Sequence, residues 1–322
     1  MEVVSKKQLE EVVTLNHLLI NIIEQAFTDL LVKEVQMPPI MRVDVPDYNG
    51  EVDIKSAYVP GYDSFAIKIS SGFFNNYKLG LPSANGLMLL ISSKTGVPKA
   101  VLADNGYLTD IRTAAAGAVA AKYLAKTKSP NVGVIGTGAQ ARLQVKAVSL
   151  VRKIEKLFVY GRTKEKAEKY KQEMEKELQV PVQLMEHPKE VVQSSDTVIT
   201  TTPATDPVIR AEWLHPGLHI TAMGSDAEHK RELDEHVVEA ADLVVCDKKE
   251  QSTRLGELKG KSEKFVGNNV LELGQITSGA AVGRETPEQI TVCDLTGTGI
   301  QDTAIARFAY ERLINKCKGR NT

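Results

Sequence analysis

A glycine-rich turn in the middle of the chain has the residue spacing of a phosphate-binding loop. Val132–Ile135 predicts a short buried strand, and a helical pattern follows over 141–151. Gly136 permits a tight turn between them, Gly138 lets the backbone approach a pyrophosphate, and Ala141 allows close packing of helix on strand. The free amides at the start of the helix would then hold the phosphates. The residues that we expect to contact a dinucleotide here are Gly136, Thr137, Gly138, Ala139 and Gln140.

The alternative is an ordinary glycine turn, and the surrounding pattern argues against it. Lys156–Tyr160 predicts a second strand at the distance expected of a strand–helix–strand nucleotide-binding unit. NAD-specific sites usually place Asp or Glu after this strand, whereas this chain has Arg162, Thr163 and Lys164. These residue types suit a 2′-phosphate, although Arg162 could stack on adenine while Lys164 is only a solvated charge. We therefore expect NAD(H) or NADP(H) as cofactor, and the sequence favours NADP(H) or tolerance of both.

Four basic residues form a second candidate group, upstream of the glycine-rich turn. Bulky residues alternate with Ala66, Lys68 and Ser70, so Lys68 shares a strand face with small side chains, which suggests room for a ligand. Arg112 begins an Ala-rich helical segment, and its guanidinium suits bidentate carboxylate binding. Arg42 and Lys55 are further cations amid neutral or apolar neighbours. Each of these residues alone is more often a surface charge, so the pattern by itself leaves this site open.

Asp226 is a candidate for proton transfer. It follows His219–Ala222, a predicted strand of a parallel sheet, and ligands bind just beyond the carboxyl ends of such strands. A carboxylic acid there could take or give a proton. Two alternatives stay open: Asp226 could cap a helix, and His229 could be the base instead. The other histidines show no metal-ligand spacing, so we expect no metal site.

Composition bounds the class of protein. The chain has 322 residues, 42% hydrophobic and 25% charged, as in an ordinary soluble protein. Its formal net charge of -1 argues against nucleic acid as a partner. Cys246, Cys293 and Cys317 share no metal-like spacing and cannot all pair, so we interpret them as reduced thiols. No signal peptide or membrane-spanning run is evident, and we expect a cytoplasmic protein without a membrane partner.

Two different patterns of secondary structure divide the chain. A helical pattern covers 7–35, and short alternating runs separated by Gly and Pro then extend from Ile40 to about Leu102, as in an antiparallel sheet. After Ser129 and Pro130, short apolar strands alternate with helices, which predicts a doubly wound parallel sheet.

We therefore expect an α/β protein with two domains. An α+β domain with a largely antiparallel sheet would cover 1–127, and a Rossmann dinucleotide-binding domain would cover 128–301. The pattern leaves open where the C-terminal helix, 302–322, docks, and we expect it to return to the first domain.

These segments together resemble the ornithine cyclodeaminase/μ-crystallin family over nearly the whole chain. The resemblance rests on the glycine-rich turn and on Lys68, Gly80–Pro82, Asp104–Ala116, Ala222–Asp226 and Asp294–Asp302. Within the family, Gly224–Leu233 and Ile290–Ala304 are most similar to a branch of ectoine-utilisation cyclodeaminase-like proteins, close to iminosuccinate reductase.

The resemblance implies an assembly and a set of residue roles. It implies a homodimer built through the β-rich domain, which would also bind substrate, and an active site between domains. Arg42, Lys68 and Arg112 would hold the substrate α-carboxylate, and Asp226 or Lys68 would manage the proton of the amino or imino nitrogen. The residues that the resemblance places near the cofactor are Thr113, Thr202, Lys230 and Leu295.

One position departs from the pattern of the ornithine-cyclising members. They have a Glu in an acidic-Leu-Met-Pro stretch near the position that here reads Ile54–Ala57, with Lys55 in place of the carboxylate. A lysine would attract a distal carboxylate rather than the distal ammonium of ornithine. Strand alternation leaves open whether Lys55 faces the site or solvent.

The expected activity is an NAD(P)H-dependent reduction of a small imino acid to an L-amino acid, reversible as an amino-acid dehydrogenase. Iminosuccinate, giving aspartate, fits Lys55 best. An ornithine-type, NAD-dependent cyclodeaminase that releases ammonia is one alternative, and a non-catalytic, crystallin-like binding protein is another. The presence of Lys68, Arg112 and Asp226 disfavours the non-catalytic alternative.

Overall fold

The computed structural model describes the backbone of residues 1–319 and the side chains of residues 1–316. The strands are β1 Glu2–Ser5, β2 Met41–Val45, β3 Gly50–Ala57, β4 Ser64–Phe73, β5 Ala84–Ser92, β6 Pro98–Ala103, β7 Asn131–Ile135, β8 Lys156–Tyr160, β9 Val182–Leu184, β10 Thr197–Thr200, β11 His219–Ala222, β12 Leu243–Cys246, β13 Val270–Glu272 and β14 Thr291–Asp294. The helices are α1 Lys6–Glu10, α2 His17–Val32, α3 Tyr107–Leu124, α4 Ala139–Val151, α5 Lys164–Leu178, α6 Pro188–Ser194, α7 Glu235–Ala240, α8 Lys249–Leu255, α9 Glu263–Asn269, α10 Leu273–Thr277 and α11 Gly299–Gly319.

The chain divides into two compact units. Unit 1 comprises Met1–Arg112 and Thr298–Thr322, and unit 2 comprises Thr113–Gly297. The first boundary lies within α3, before the break that the sequence suggests at 127/128, and the second lies just before α11. The reason lies in the Ala-rich half of α3, because Ala121 of this helix and Ala125 just after it pack into the core of the parallel sheet in unit 2.

Unit 1 contains a six-stranded sheet in the order β1-β6-β5-β4-β3-β2. Every neighbouring pair is antiparallel except β1 and β6. Helix α11 packs on β3 and β4, so one face of the sheet is covered. On β3, Asp53, Lys55 and Ala57 point to this covered inner face.

The outer face of the same sheet is apolar and only partly buried. One row across the strands pairs Met41, Ile54, Ile69 and Leu87 in register. A second row pairs Ile67, Leu89, Val101 and Val3. Met41 is 55% exposed and Val3 is 65% exposed. We call these two rows the outer apolar face.

Unit 2 is a doubly wound nucleotide-binding fold. Its eight strands are all parallel, in the order β13-β12-β14-β11-β10-β7-β8-β9. The chain runs from β7 to β8 and β9 on one side and then to β10 and β11 on the other, so the strand order reverses between β7 and β10, where such sheets bind ligands. The predicted combination of a parallel Rossmann sheet and a largely antiparallel sheet is therefore confirmed.

Several local predictions differ from the structure. The helical pattern over 7–35 forms two helices, α1 and α2, because the Asn16 side chain accepts a hydrogen bond from the Leu19 amide and starts α2 as a separate helix. Lys33 is already extended, so α2 ends well before the prolines. Cys246 and Cys293 are buried free thiols, and the side chain of Cys317 lies outside the described residues. Among the described residues, no helix combines the length and apolarity needed to cross a bilayer.

Candidate active site

A buried cluster of charged side chains lies on the inner face of the sheet in unit 1. Asp302, on the first turns of α11, accepts a hydrogen bond from Arg112 Nε at 2.8 Å and lies 2.9 Å from Lys68 Nζ. Arg112 also donates from Nη1 to Gln301 Oε1 at 2.9 Å. All four side chains are buried. Asp302 thereby orients Lys68 and Arg112, and we call Lys55, Lys68, Arg112 and Asp302 the basic cluster.

Lys55 belongs to this cluster. It is 7% exposed and directly opposite Lys68 in the antiparallel register of β3 and β4. Burial lowers the pKa of Lys68 to about 7, the nearby charges of Arg112 and Lys55 act in the same direction, and Asp302 opposes them. Lys55 therefore faces inward, which decides the question that strand alternation leaves open.

A side-chain cap and a close backbone contact position the two helices that carry Arg112 and Asp302. Asp104 Oδ2 accepts the Leu108 amide at 2.7 Å near the start of α3, the helix that carries Arg112. At the start of α11, Gly299 lies against the backbone of Ser56, where an added Cβ would come within 2.6 Å of the Ser56 carbonyl carbon. Only glycine allows this approach, so α11 meets β3 next to Lys55.

Arg42 lies apart from the residues that contact Asp302. It is on the edge strand β2, where it forms ion pairs with Asp44 at 2.8 Å, with Asp53 at 3.5 Å and with Glu51. Its guanidinium is thus held by carboxylates in this structure. The predicted role of Arg42 in substrate binding stays a prediction.

A cavity of about 540 Å³ opens at the carboxyl ends of β7, β8 and β10 in unit 2. This volume is typical of a small-molecule or cofactor site. Its lining includes Gly136, Thr137, Gly138, Arg162, Thr163 and Thr202. Six predicted cofactor-binding residues therefore share one cavity, which we call the nucleotide pocket.

The glycine turn has the backbone that phosphate binding requires. Gly136 adopts a φ of +124°, and a Cβ there would lie 2.5 Å from Thr201 Oγ1. Gly138 is the N-cap of α4 with no side-chain cap, and the space around its Cα is open. Arg142 Nη1 fixes the turn by donating to the carbonyls of Thr137 and Gly138 at 2.5 and 3.0 Å. Uncapped amides facing open space fit the pyrophosphate of a dinucleotide.

The far end of the pocket is basic, and two of the three residues predicted there line it. Arg162 and Thr163 line it together with Lys166, whereas Lys164 is exposed at the first position of α5 and is not among the lining residues. Helical geometry explains this, because positions three apart, such as 163 and 166, share one helix face.

Asp226 lies in a loop between β11 and α7 that contains no helix, so the alternative of a helix cap is wrong. Its Oδ1 is 2.7 Å from Lys230 Nζ, and the Lys230 side chain is 7% exposed whereas that of Asp226 is 42% exposed. A buried lysine thus holds a carboxylate that remains accessible. His229 is exposed on the same loop.

The other predicted cofactor residues lie in unit 2 at defined positions. The Thr113 carbonyl accepts a hydrogen bond from Gln144 Nε2 at 2.8 Å, and the same amide group contacts Gln140. Ala139 is the first residue of α4. Buried Leu295 follows β14 and donates its amide to the Ala222 carbonyl at 3.0 Å.

Sequence reasoning missed three polar residues. Asp302 was noted only within a family segment, Lys166 was not singled out, and neither was the buried Glu232. A charged residue in an apolar stretch, as in the first turn of α11, is the signal that could have pointed to Asp302.

The sequence profile of the Ornithine cyclodeaminase/mu-crystallin family matches residues 1–317. The chain belongs to this family. An uncharacterized cyclodeaminase of Sinorhizobium fredii is 46% identical over 99% of this chain and 98% of that relative.

Solved structures agree with this assignment. Delta(1)-pyrroline-2-carboxylate reductase of Thermococcus litoralis, in complex with NADH and L-proline, has a TM-score of 0.91 and 33% identity over 98% of both chains. An archaeal alanine dehydrogenase dimer with bound NAD has a TM-score of 0.90 and 32% identity over 98% of this chain and 97% of that one. Iminosuccinate reductase of Paracoccus denitrificans in complex with NAD+ has a TM-score of 0.87 and 28% identity over 98% and 97%. The expected family and nicotinamide cofactor are confirmed, and the family contains imine reductases, dehydrogenases and cyclodeaminases.

Proposed function

We propose that this family member is an NAD(P)H-dependent reductase of a small dicarboxylic imino acid, with iminosuccinate as the preferred substrate and aspartate as product. The observation that carries the proposal is the inward position of Lys55 opposite Lys68. Lys68 and Arg112 would bind the α-carboxylate, oriented by Asp302. Lys55 would bind the second carboxylate, since a distal ammonium beside it would be repelled.

The cofactor would be held by the glycine turn and by the amides at the start of α4, and when bound it would supply the hydride. The residues of the chain manage the proton. Asp226 is accessible and is held by Lys230, so it can donate to the nitrogen when protonated and take the proton back in the reverse reaction. Lys68 is a second candidate, because its pKa of about 7 allows it to carry or release a proton near neutral pH.

Cofactor absorbance tests this proposal. Purified protein is mixed with NADH or NADPH and a panel of keto acids plus ammonia, which form imines in solution. Oxaloacetate with ammonia should be the best pair, with one cofactor consumed per amino acid formed. Cofactor turnover that is equally fast with pyruvate and ammonia would contradict the dicarboxylic preference.

A cyclodeaminase would give a different result in the same absorbance assay. It would release ammonia from ornithine with no net change in NADH, because the cofactor is oxidised and reduced within one cycle. The relative from Sinorhizobium fredii carries a cyclodeaminase name, so ornithine belongs in the panel. Catalytic ammonia release from ornithine would favour this second activity.

We also propose that two copies of the chain associate through the outer apolar face. The face crosses all six strands of the sheet, and its margins at Met41 and Val3 are more than half exposed. A partly exposed apolar surface of this extent usually forms an interface with another protein chain. The archaeal alanine dehydrogenase of the same fold is a dimer.

A further inference from the structure

Two loops of unit 2 are joined by one buried carboxylate, that of Glu232. The first loop follows β10 and carries Thr202, which lines the nucleotide pocket. The second follows β11 and carries Gly224, Asp226 and Lys230. Glu232 is completely buried at the end of the second loop. It therefore contacts both the wall of the pocket and the segment that leads to Asp226.

Each oxygen of Glu232 accepts a hydrogen bond from one loop's backbone. Oε1 accepts from the Thr202 amide at 2.5 Å and from the Thr202 hydroxyl at 2.8 Å. Oε2 accepts from the Gly224 amide at 2.7 Å and from the Thr200 hydroxyl at 2.6 Å. Because a backbone amide can only donate, both side-chain oxygens have to be acceptors, and among the standard side chains of this length only a carboxylate provides two.

The contact between the loops leaves no room for a side chain at position 224. A Cβ on Gly224 would overlap the Thr202 carbonyl oxygen and would lie 2.6 Å from Glu232 Cδ. The carboxylate thus links the two segments where their backbones lie too close for a side chain at position 224.

We propose that Glu232 is a positioning residue that holds the Thr202 loop and the Asp226 loop together, so that both nucleotide binding and turnover depend on its carboxylate. The inference rests on the proposed function, since Asp226 acts there on the imine nitrogen. Glu232 would act on NADH binding through Thr202, and on turnover through the backbone at Gly224.

The test is NADH binding and turnover in Glu232→Gln. The amide keeps the shape of the side chain but turns one acceptor into a donor, so it faces either the Thr202 or the Gly224 amide unfavourably. Loss of such a bond should weaken NADH binding, measured by fluorescence titration, roughly tenfold, and should lower kcat with the best imine by a similar factor.

Asp196→Asn is the matched control. Asp196 stands just before β10, at the opposite end of the strand from Thr200, where it accepts the Asn131 amide at 3.1 Å and pairs with Lys126 at 2.6 Å. This variant should lose thermal stability without a change in the dissociation constant of NADH. Measurements are made at a temperature at which both variants are folded.

Thr200→Val covers the case in which Glu232→Gln does not fold, because it removes only one neutral donor from Oε2. It should weaken NADH binding about threefold and leave the far-ultraviolet spectrum unchanged. NADH binding within twofold of the wild type in Glu232→Gln, or in Thr200→Val if the first variant fails to fold, would overturn the inference alone. A wild-type protein that binds neither NADH nor NADPH would overturn the proposed function and this inference together.

Discussion

Lys55 and Lys68 face each other across β3 and β4, and both side chains are buried. Like charges in directly opposed positions repel each other, so an anion close to both stabilises the pair. Asp302 supplies negative charge from α11, within 2.9 Å of Lys68. A dicarboxylic substrate would supply more, with one carboxylate for Lys68 and Arg112 and the other for Lys55.

Replacing Lys55 should change substrate preference more than the fold. In Lys55→Met, the ratio of kcat/KM for dicarboxylic over monocarboxylic imines should fall roughly 10- to 100-fold, the effect of losing one charge-assisted hydrogen bond. Lys55→Glu should go further and favour diamino acids such as ornithine. Lys78→Met, which alters an exposed lysine, serves as the control. An unchanged ratio in both Lys55 variants would place Lys55 outside the substrate site.

The charge of Lys68 should be visible in the pH dependence of catalysis. Its pKa is lowered to about 7, so the side chain is charged below this pH and loses its charge as the pH rises through it. Because kcat/KM reports the free enzyme, its value for carboxylate substrates should fall above pH 7. Lys68→Met should have a lower kcat/KM and should lack this limb of the profile. A wild-type value that stays constant from pH 6 to pH 9 would show that the charge of Lys68 does not matter for binding.

Asp226→Asn should separate proton transfer from nucleotide binding. The amide cannot exchange the proton, so turnover should fall about 100-fold or more, while the dissociation constant of NADH changes little. Asp234→Asn is the control, because Asp234 caps α7 by accepting the His236 amide and asparagine caps equally well. Near-full turnover in Asp226→Asn would leave Lys68 as the acid–base residue.

Cofactor preference should depend on the residues that line the nucleotide pocket. Arg162→Ala and Lys166→Ala should each weaken NADPH more than NADH, since only NADPH carries a 2′-phosphate. Lys164→Ala should affect the two cofactors equally, because Lys164 is exposed and is not among the residues that line the pocket. The measurement is the dissociation constant of NADH and of NADPH for each variant and for the wild type. Equal losses of NADH and NADPH in Arg162→Ala would indicate stacking on adenine instead.

A charge in the outer apolar face should dissociate the proposed dimer. Ile69 is 37% exposed in the middle of one row, and Ile69→Glu should shift the mass in multi-angle light scattering from that of two chains to that of one. Val97→Glu is the control, since Val97 is 61% exposed in the β5–β6 turn, outside both rows. A wild-type protein of monomeric mass at micromolar concentration would contradict the dimer.

The nucleotide-binding unit could be predicted from sequence because its signals are local. A strand, two glycines and a helix follow one another within 131–151, and each is specified by its own residues. Strand β14 was missed because its four residues, Thr291–Asp294, are buried without forming an apolar run. Because polar and apolar residues are both buried in such a strand, its sequence shows neither an apolar run nor a regular alternation.

The basic cluster could be predicted only in part, because it depends on contacts that are distant in sequence. Arg112 and Asp302 are 190 positions apart, and nothing near either residue indicates its partner. The orientation of Lys55 was undecidable for a different reason. Both faces of β3 carry apolar residues, such as Ile54 outside and Ala57 inside, so alternation does not distinguish the core face from the outer apolar face.

The close approach of Gly299 to Ser56 bears on how substrate range evolves in this fold. The contact is made by main chain on both sides, so it does not depend on which side chain occupies the neighbouring position 55. Mutation at that position can therefore reverse the local charge while α11 and Asp302 keep their place. Under the role proposed for position 55, descendants of one ancestral gene would change the charge of their preferred substrate by a single codon change, without first losing the scaffold on which selection acts.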